Sequence, residues 1–283
     1  MSTQKIAVAL INGTGTLRAD QMTEATDNLR NRLTAALGED VVIQQVDWAR
    51  ALREKQYALM DTFDGVDLKL RYTALRNFVL NFVGGMLAYQ PTSDNPQPYQ
   101  DIHQAIAADL QILAANAGAQ APLCIIAHSL GAVIMHHYLD DLQQGTAPHM
   151  VKAVIGDTPL EQGETLVALY MLGAPLGLYA MRLADFGSPI VFPAPKLREH
   201  YPVAHHPDLT SEWINFYDRD DVMAYPISRL NDAYRQRVRD VHVNVGGMLD
   251  NWNPASHMAY WGDKDVIAPI VAQMVKVHAA VNT

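Results

Sequence analysis

The sequence predicts an α/β fold in which a mostly parallel, twisted sheet carries helices on both faces. Segments typical of strands and of helices alternate along the chain, as they do in parallel sheets. Apolar residues make up 49% of the 283 residues and charged residues 18%, the balance of a compact soluble protein. The segment 123–142 adds an apolar run, a turn and a helical run in succession. We interpret residues 1–283 as a single domain with insertions.

The N-terminal half supplies two strands and two helices. The apolar run Ile6 to Ile11 is the first predicted strand, since it is too short for a secretory signal. Residues 20–37 have leucines at helical spacing, and Gly38 ends that helix. A second strand is predicted at 41–46, and a second helix at 102–115.

The C-terminal half continues this alternation. After the segment 123–142, strands are predicted at 166–172, 213–217 and 241–245, and a closing helix at 265–278. No internal repeat is visible in the sequence, which supports the interpretation as one domain.

Two segments that interrupt the alternation are predicted to be insertions. The first, at about 48–100, has an apolar stretch near 78–87 and ends in residues 89–99, which are rich in Pro, Asn and Ser and are expected to be loop. The second, at about 176–210, is rich in proline and aromatic residues. Such a segment does not form a regular layer, so we interpret it as a lid or an irregular cap.

Composition argues against several classes of function. The net charge is −9 without a basic block, which argues against binding to nucleic acid or to an anionic membrane surface. No apolar stretch approaches the roughly 20 residues that span a bilayer, so no stable membrane insertion is expected. The single cysteine, Cys124, falls in an apolar strand. A buried thiol without a disulfide favours a cytoplasmic location.

A serine lies at the apex of the turn within the segment 123–142. The residues two positions away on either side are small, Ala127 and Gly131, as a tight turn requires. Such a turn lifts the hydroxyl of Ser129 out of the sheet and lets the N–H of Leu130 point at a developing oxyanion. We therefore predict that Ser129 is a nucleophile.

The residues Ala-His-Ser-Leu-Gly at 127–131 resemble the G-x-S-x-G nucleophile elbow of the α/β-hydrolases, with alanine in place of the first glycine. The turn Gly-Ala-Pro-Leu at 173–176 is similar to one found in lipase-like members of that superfamily. The resemblance implies an α/β-hydrolase fold and a serine hydrolase of the lipase or carboxylesterase kind. It also implies that an acid and then a histidine follow the serine, each on a loop at the carboxyl end of a strand.

Three aspartates compete for the position of the acid, after the strand 213–217. We select Asp221, because the Asp-x-x-Ala-Tyr stretch that it begins is similar to the acid loop of lipase-type enzymes. Asp220 is the second choice and Asp218 the third. Any one of them also suits a purely structural role in a turn or a cap.

The histidine that would act as the base is expected after the last strand. His257 lies there, between a loop of turn-forming residues and the closing helix. His242 is the alternative, but it falls within the strand 241–245 and is expected to be packed or exposed on the sheet. The predicted triad is thus Ser129, Asp221 and His257.

The second oxyanion donor is expected on the loop after the first strand. Asn12-Gly13-Thr14-Gly15 resembles the His-Gly-x-Gly oxyanion loop of these enzymes, with asparagine in place of histidine. By that match the backbone N–H of Thr14 pairs with that of Leu130.

Two other kinds of chemistry are poorly supported. The third glycine of a dinucleotide motif G-x-G-x-x-G would fall on Arg18, and no Lys-Ser or Lys-Thr follows to form a P-loop. The adjacent histidine pairs 136–137 and 205–206 suit a metal poorly. We expect the first pair on a helix surface and the second in the cap. No metal and no cofactor are therefore expected.

These motifs together predict a serine hydrolase that cleaves a small-molecule or acyl ester through an acyl-enzyme intermediate. The apolar stretch near 78–87 and the proline-rich cap favour an uncharged or acyl-chain substrate. An acyltransferase or a thioesterase would use the same residues, and a non-catalytic or nucleotide-binding α/β protein is the alternative from another class. The sequence leaves the oligomeric state open.

Overall fold

A six-stranded sheet forms the centre of the molecule. The computed structural model describes residues 3–13, 19–64, 83–90, 96–246 and 254–283. Its strands are β1 (Ile6–Ile11), β2 (Val41–Val46), β3 (Leu123–His128), β4 (Leu166–Leu172), β5 (Glu212–Tyr217) and β6 (Arg239–His242). They lie in the order β2-β1-β3-β4-β5-β6, and every neighbouring pair is parallel. The α/β fold class predicted from the sequence is confirmed.

The apolar sequences of the central strands follow from their burial. β1, β3 and β4 are buried along their whole length, as expected for parallel strands that helices cover on both faces. Cys124 is one of these buried residues in β3, as predicted. The edge strands β2 and β6 are only partly buried and carry more polar side chains. Because all strands run in one direction, their carboxyl ends meet at a single edge of the sheet.

Helices pack against the sheet and against one another. They are α1 (Ala19–Leu37), α2 (Arg50–Asp64), α3 (Gly85–Tyr89), α4 (Gln97–Ala117), α5 (Leu130–Gln144), α6 (His149–Lys152), α7 (Leu176–Ala180), α8 (Leu197–His200), α9 (Asp232–Arg235) and α10 (Lys264–Val281). α1 packs against α10, whereas α2 and α4 pack against each other. Within the described ranges, none of these helices is both long and apolar enough to cross a membrane.

The second predicted insertion is irregular, as expected. The segment 176–210 is described throughout, and its regular structure is limited to the short helices α7 and α8 and a 3₁₀ turn at Ala184–Phe186. It contributes no strand to the sheet.

The first predicted insertion lies partly outside the described residues, and its apolar residues 78–82 are among those not described. Its described parts are largely helical and include α2 and α3. The expectation of a loop over 89–99 is wrong at both ends, because Tyr89 closes α3 and Gln97 opens α4. Pro98 lies in the first turn of α4, where a residue without an N–H is tolerated.

The last strand begins and ends earlier than predicted. We expected it at 241–245, but β6 ends at His242 because its partner β5 ends at Tyr217. The N–H of Val243 still reaches the carbonyl of Tyr217 at 3.0 Å. The N–H of Val245 donates instead to the carboxylate of Asp218 at 2.7 Å.

Candidate active site

The chain turns sharply between β3 and α5, with Ser129 at the turn. Ser129 has φ 54° and ψ −129°, a sparsely populated conformation for a residue with a side chain. Holding a residue there costs about 1–3 kcal/mol, so the surroundings must enforce it. One enforcing contact is the hydrogen bond from the N–H of Ser129 to the carbonyl of Leu172 at the end of β4, at 2.9 Å.

Two glycines provide the room that this turn needs. A Cβ at Gly131 would lie 2.5 Å from the carbonyl oxygen of Asn12. A Cβ at Gly13 would lie 2.2 Å from the Cβ of Ser129. Non-bonded heavy atoms do not approach so closely, so both positions require glycine. The loop after β1 therefore lies directly against the serine.

Three of the predicted site residues, Ser129, His257 and Asp221, meet at the carboxyl edge of the sheet, and we call them the candidate triad. His257 Nε2 lies 2.7 Å from Ser129 Oγ, and His257 Nδ1 lies 2.8 Å from Asp221 Oδ2. All three residues are buried. A carboxylate only accepts, so Nδ1 donates to Asp221, which leaves Nε2 free to accept the serine proton. A hydroxyl placed in this way can lose its proton to the imidazole.

Several donors hold the carboxylate of Asp221 in its ionised form. Its Oδ2 accepts from His257 and from the hydroxyl of Tyr260 at 2.9 Å, and its Oδ1 accepts from the N–H of Met223 at 2.9 Å. Burial by itself would raise the pKa of Asp221, but these hydrogen bonds outweigh burial and lower it. Burial and the carboxylate both raise the pKa of Tyr260, so its hydroxyl keeps its proton and donates.

The competing candidates for acid and base lie elsewhere. Asp218 is buried, and its carboxylate accepts the N–H groups of Asp220 at 2.8 Å and Val245 at 2.7 Å. It thereby joins the loop after β5 to the chain after β6. The Asp220 side chain is exposed. His242 is exposed at the end of β6, with its ring 5.7 Å from that of Tyr217.

A second histidine contacts the base from the strand side. His128, the last residue of β3, is buried, and its Nε2 lies 2.7 Å from the carbonyl oxygen of His257. Because a carbonyl only accepts, Nε2 of His128 carries the proton. Burial lowers the pKa of His128 to about 3, so the ring is neutral near pH 7. His128 was not among the site residues predicted from the sequence, where its only signal is its place beside Ser129.

The predicted oxyanion donors are only partly within the described residues. Thr14 lies outside them. Leu130 is the first residue of α5, so its N–H has no acceptor within the helix. Asn12 is buried, and its side-chain amide has no hydrogen-bond partner among the described residues. Its backbone carbonyl accepts from Trp48 Nε1 at 2.7 Å.

A separate group of buried and half-buried polar side chains lies where α3, α4 and α5 meet, and we call it the tyrosine–histidine cluster (Tyr89, His103, His137 and Asp141). The hydroxyl of Tyr89 lies 3.0 Å from His103 Nε2 and 3.1 Å from His137 Nδ1. His103 Nδ1 lies 3.5 Å from Asp141 Oδ2. The prediction that residues 136–137 lie on a helix surface is wrong, because His136 is buried and His137 is half-buried.

Burial keeps the rings of this cluster uncharged. It lowers the pKa of His103 and lowers that of His137 to about 3. It raises the pKa of Tyr89 well above its ordinary value, so the hydroxyl keeps its proton. The two hydrogen bonds of the Tyr89 hydroxyl are therefore neutral, and they connect α3 to α4 and to α5.

Other features suited to ligands are few in the part of the chain that the structure describes. That part has no group of three or more His, Cys, Asp or Glu side chains able to hold a metal ion. A cavity of about 390 Å³ opens beside the first residues of β5 and β6, Glu212 and Arg239. It lies at the amino ends of the strands, opposite the candidate triad.

Similarities to known proteins come from structure alone. No family model matches the sequence, and no curated protein matches it. An esterase of Pyrobaculum calidifontis is 11% identical with a TM-score of 0.44, over 99% of this chain and 79% of that one. An esterase of Rhizomucor miehei is 13% identical with a TM-score of 0.43, over 98% and 77%. A cutinase-like protein from Cryptococcus sp. is 12% identical with a TM-score of 0.43, over the whole of both chains.

Proposed function

We propose that this chain is a serine hydrolase that cleaves carboxylic esters through an acyl-enzyme. The sheet order and the serine turn give the chain an α/β-hydrolase fold. One observation carries the proposal: a hydrogen-bonded path runs from Asp221 through His257 to Ser129, with distances of 2.8 and 2.7 Å. A serine hydroxyl is a poor nucleophile at neutral pH, and this path supplies the base and the orienting acid that it needs.

In the proposed acylation, His257 Nε2 takes the proton of Ser129 as Oγ attacks the ester carbonyl. The carbonyl oxygen becomes an oxyanion, and the N–H of Leu130 stabilises it. Thr14 is the second donor by the resemblance of its loop. When the intermediate collapses, His257 returns the proton to the alcohol that leaves, and the acyl group remains on Oγ.

In the proposed deacylation, water takes the place of the alcohol. His257 accepts a proton from the water as the water attacks the acyl carbonyl. His257 then returns that proton to Ser129 Oγ as the carboxylic acid departs. Asp221 stays ionised through both halves and holds the imidazole in the required tautomer. The hydrogen bond from Tyr260 and the lowered pKa of Asp221 support this role.

The surroundings of the acid and the base support an uncharged or acyl-chain ester as the substrate. Val222 directly follows Asp221, Met258 directly follows His257, and both apolar side chains are exposed. An apolar substrate gains binding energy from covering such side chains, whereas a charged substrate would lose hydration there.

Labelling with a fluorophosphonate probe tests the nucleophile and the base. We expect the wild type to be labelled at Ser129 only, Ser129→Ala to show no labelling, and His257→Ala to be labelled very slowly. Ser211→Ala and His242→Ala are matched controls, because both residues lie outside the candidate triad, and both variants should react like the wild type.

Hydrolysis of p-nitrophenyl esters of increasing chain length tests the substrate class. We expect turnover by the wild type and by both control variants, with a preference for one range of acyl lengths. A wild-type protein that is folded but neither reacts with the probe nor hydrolyses any of these esters would overturn the proposal.

A further inference from the structure

We infer that His128 is a positioning residue, which fixes the base relative to the nucleophile by donating a hydrogen bond from its side chain to the backbone of His257. The inference rests on the proposed function, since it assigns His257 the role of base. His128 does not contact the hydroxyl proton of Ser129, and it is not a member of the hydrogen-bonded path from Asp221 through His257 to Ser129.

The position of His128 makes it suited to this task. It ends β3, where its backbone pairs with Leu172 of β4, and it directly precedes Ser129. His257, in contrast, lies in a short 3₁₀ helix, Pro254–Met258, outside the sheet. The bond from His128 therefore attaches the base to the rigid strand that also carries the nucleophile.

Contacts at opposite ends of His257 together restrict its movement. The ring is held at Nδ1 by Asp221 at 2.8 Å, and the backbone carbonyl is held by His128 Nε2 at 2.7 Å. The distance from Nε2 to Ser129 Oγ, 2.7 Å, depends on both contacts. A displacement of about 1 Å in a catalytic group can cost about 100-fold in rate, so a loose backbone at His257 would slow the reaction.

The donor at this place must also be uncharged. The rings of His128 and His257 lie with their centres 4.8 Å apart, and His257 becomes positively charged when it takes the serine proton. A lysine or arginine donor would oppose that charge, whereas a buried neutral imidazole donates without opposing it. The rings of Tyr260 and Trp261, at 5.9 and 6.0 Å, pack around His128 and fix its orientation.

A pair of variants of nearly equal shape isolates the hydrogen bond. Glutamine and methionine have similar length and volume, but only glutamine carries an N–H that can reach the carbonyl of His257. We expect His128→Met to lower kcat by about 10- to 100-fold with KM almost unchanged. The kcat of His128→Gln should exceed that of His128→Met by at least about tenfold. Rates are expressed per active site titrated with the fluorophosphonate probe, so that any misfolded fraction is not counted.

The matched control is His136→Leu, which removes another buried histidine, from the helix α5 that follows Ser129. The His136 ring has no hydrogen-bond partner among the described residues, and we expect kcat to stay at the wild-type value. Equal losses of kcat in His128→Gln and His128→Met, or an unchanged kcat in His128→Met, would overturn the positioning role. A wild type that is never labelled would instead overturn the proposed hydrolase function.

Nitrogen NMR of the wild-type protein gives a test that needs no variant. We expect the His128 ring to be neutral near pH 7 with its proton on Nε2, as donation to the carbonyl requires. A neutral ring with its proton on Nδ1 and an unprotonated Nε2 would exclude this hydrogen bond and with it the positioning role. This result would be decisive even if the His128 variants do not fold, because it comes from the wild type.

Discussion

The candidate triad and the tyrosine–histidine cluster both place a carboxylate, a histidine and a hydroxyl in line, yet they differ at each step. The carboxylate of the triad lies 2.8 Å from its histidine, whereas that of the cluster lies 3.5 Å from His103. The hydroxyl of the triad belongs to a serine on a strained turn beside a helix N-terminus. The hydroxyl of the cluster belongs to Tyr89, which is buried between two imidazoles. Residue types alone therefore do not define a reactive site.

The backbone accounts for much of this difference. At the triad, the first N–H groups of α5 lie beside the serine and can bind a developing negative charge. At the cluster, the side chains project from three helices. The Tyr89 hydroxyl bonds to both imidazoles, and Asp141 accepts from the hydroxyls of Tyr99 and Thr146, which stabilises the packing of those helices. We expect substitutions at the triad to lower activity, and matched substitutions at the cluster to lower stability.

Replacing each carboxylate by an amide tests this contrast with the largest expected effect. Asp221→Asn should lower kcat by about 10³- to 10⁴-fold, because an amide can stabilise the wrong tautomer of His257. Asp141→Asn should leave kcat nearly unchanged but lower the free energy of unfolding by about 1–3 kcal/mol. Ester hydrolysis and urea unfolding measure the two effects. Similar losses of kcat in the two variants would contradict the distinction.

A methyl group added at the serine turn should have the next largest effect. Gly13→Ala places a Cβ against that of Ser129, so we expect the rate of ester hydrolysis per folded molecule to fall by at least about 100-fold. Gly262→Ala is the matched control, since a Cβ there meets no atom within 4 Å. Full activity of folded Gly13→Ala would show that the turn tolerates displacement of the serine.

Removing one tyrosine hydroxyl from each region should have a smaller effect. Tyr260→Phe removes a hydrogen bond to the ionised Asp221, and we expect kcat to fall by about tenfold. Tyr89→Phe leaves the buried His103 and the half-buried His137 without this partner, so the free energy of unfolding should fall by about 1–3 kcal/mol while kcat is retained. Steady-state kinetics and thermal unfolding of both variants distinguish the outcomes. A larger fall in kcat for Tyr89→Phe than for Tyr260→Phe would refute the contrast.

The smallest effect, counted per pH unit, is expected on the pH dependence of the free energy of unfolding. Burial lowers the pKa of His136 to about 4, below the ordinary value of 6.5, so the unfolded chain binds a proton there that the folded protein excludes. Stability should therefore fall as the pH drops from 6.5 towards 4. Each such histidine contributes up to about 1.4 kcal/mol per pH unit. The pKa of Asp221 is lowered, so its contribution to stability is lost only when the pH falls below 3.8, the ordinary pKa of an aspartate.

Urea unfolding between pH 6.5 and pH 4 measures this slope. His136→Leu should reduce the slope by the equivalent of about one proton, because the side chain that titrates in the unfolded chain is gone. His242→Leu, at an exposed position, should leave the slope unchanged. An identical slope in the wild type and in His136→Leu would mean that His136 takes up its proton in the folded protein.

The residues of the candidate triad could be predicted because each follows a strand that the sequence pattern indicates. β5 was predicted to within one residue, so the loop that carries the acid could be placed. β6 was predicted two or three residues too late, but His257 still follows it along the chain. The tyrosine–histidine cluster could not be predicted, because its members lie on three helices with no shared motif. His136 and His137 were misplaced because neighbouring residues on a helix usually differ in exposure, whereas α5 is covered on more than one side.

The sheet topology has a consequence for how the protein folds. The side chains of Ser129 and His257 are 128 residues apart in sequence, and those of Asp221 and His257 are 36 apart. Parallel strands pair distant segments, and such contacts form slowly because long loops must close first. The candidate triad therefore assembles only after β3 to β6 have paired. During refolding, the ability to react with an ester should appear later than helical circular dichroism, so it marks completion of the sheet.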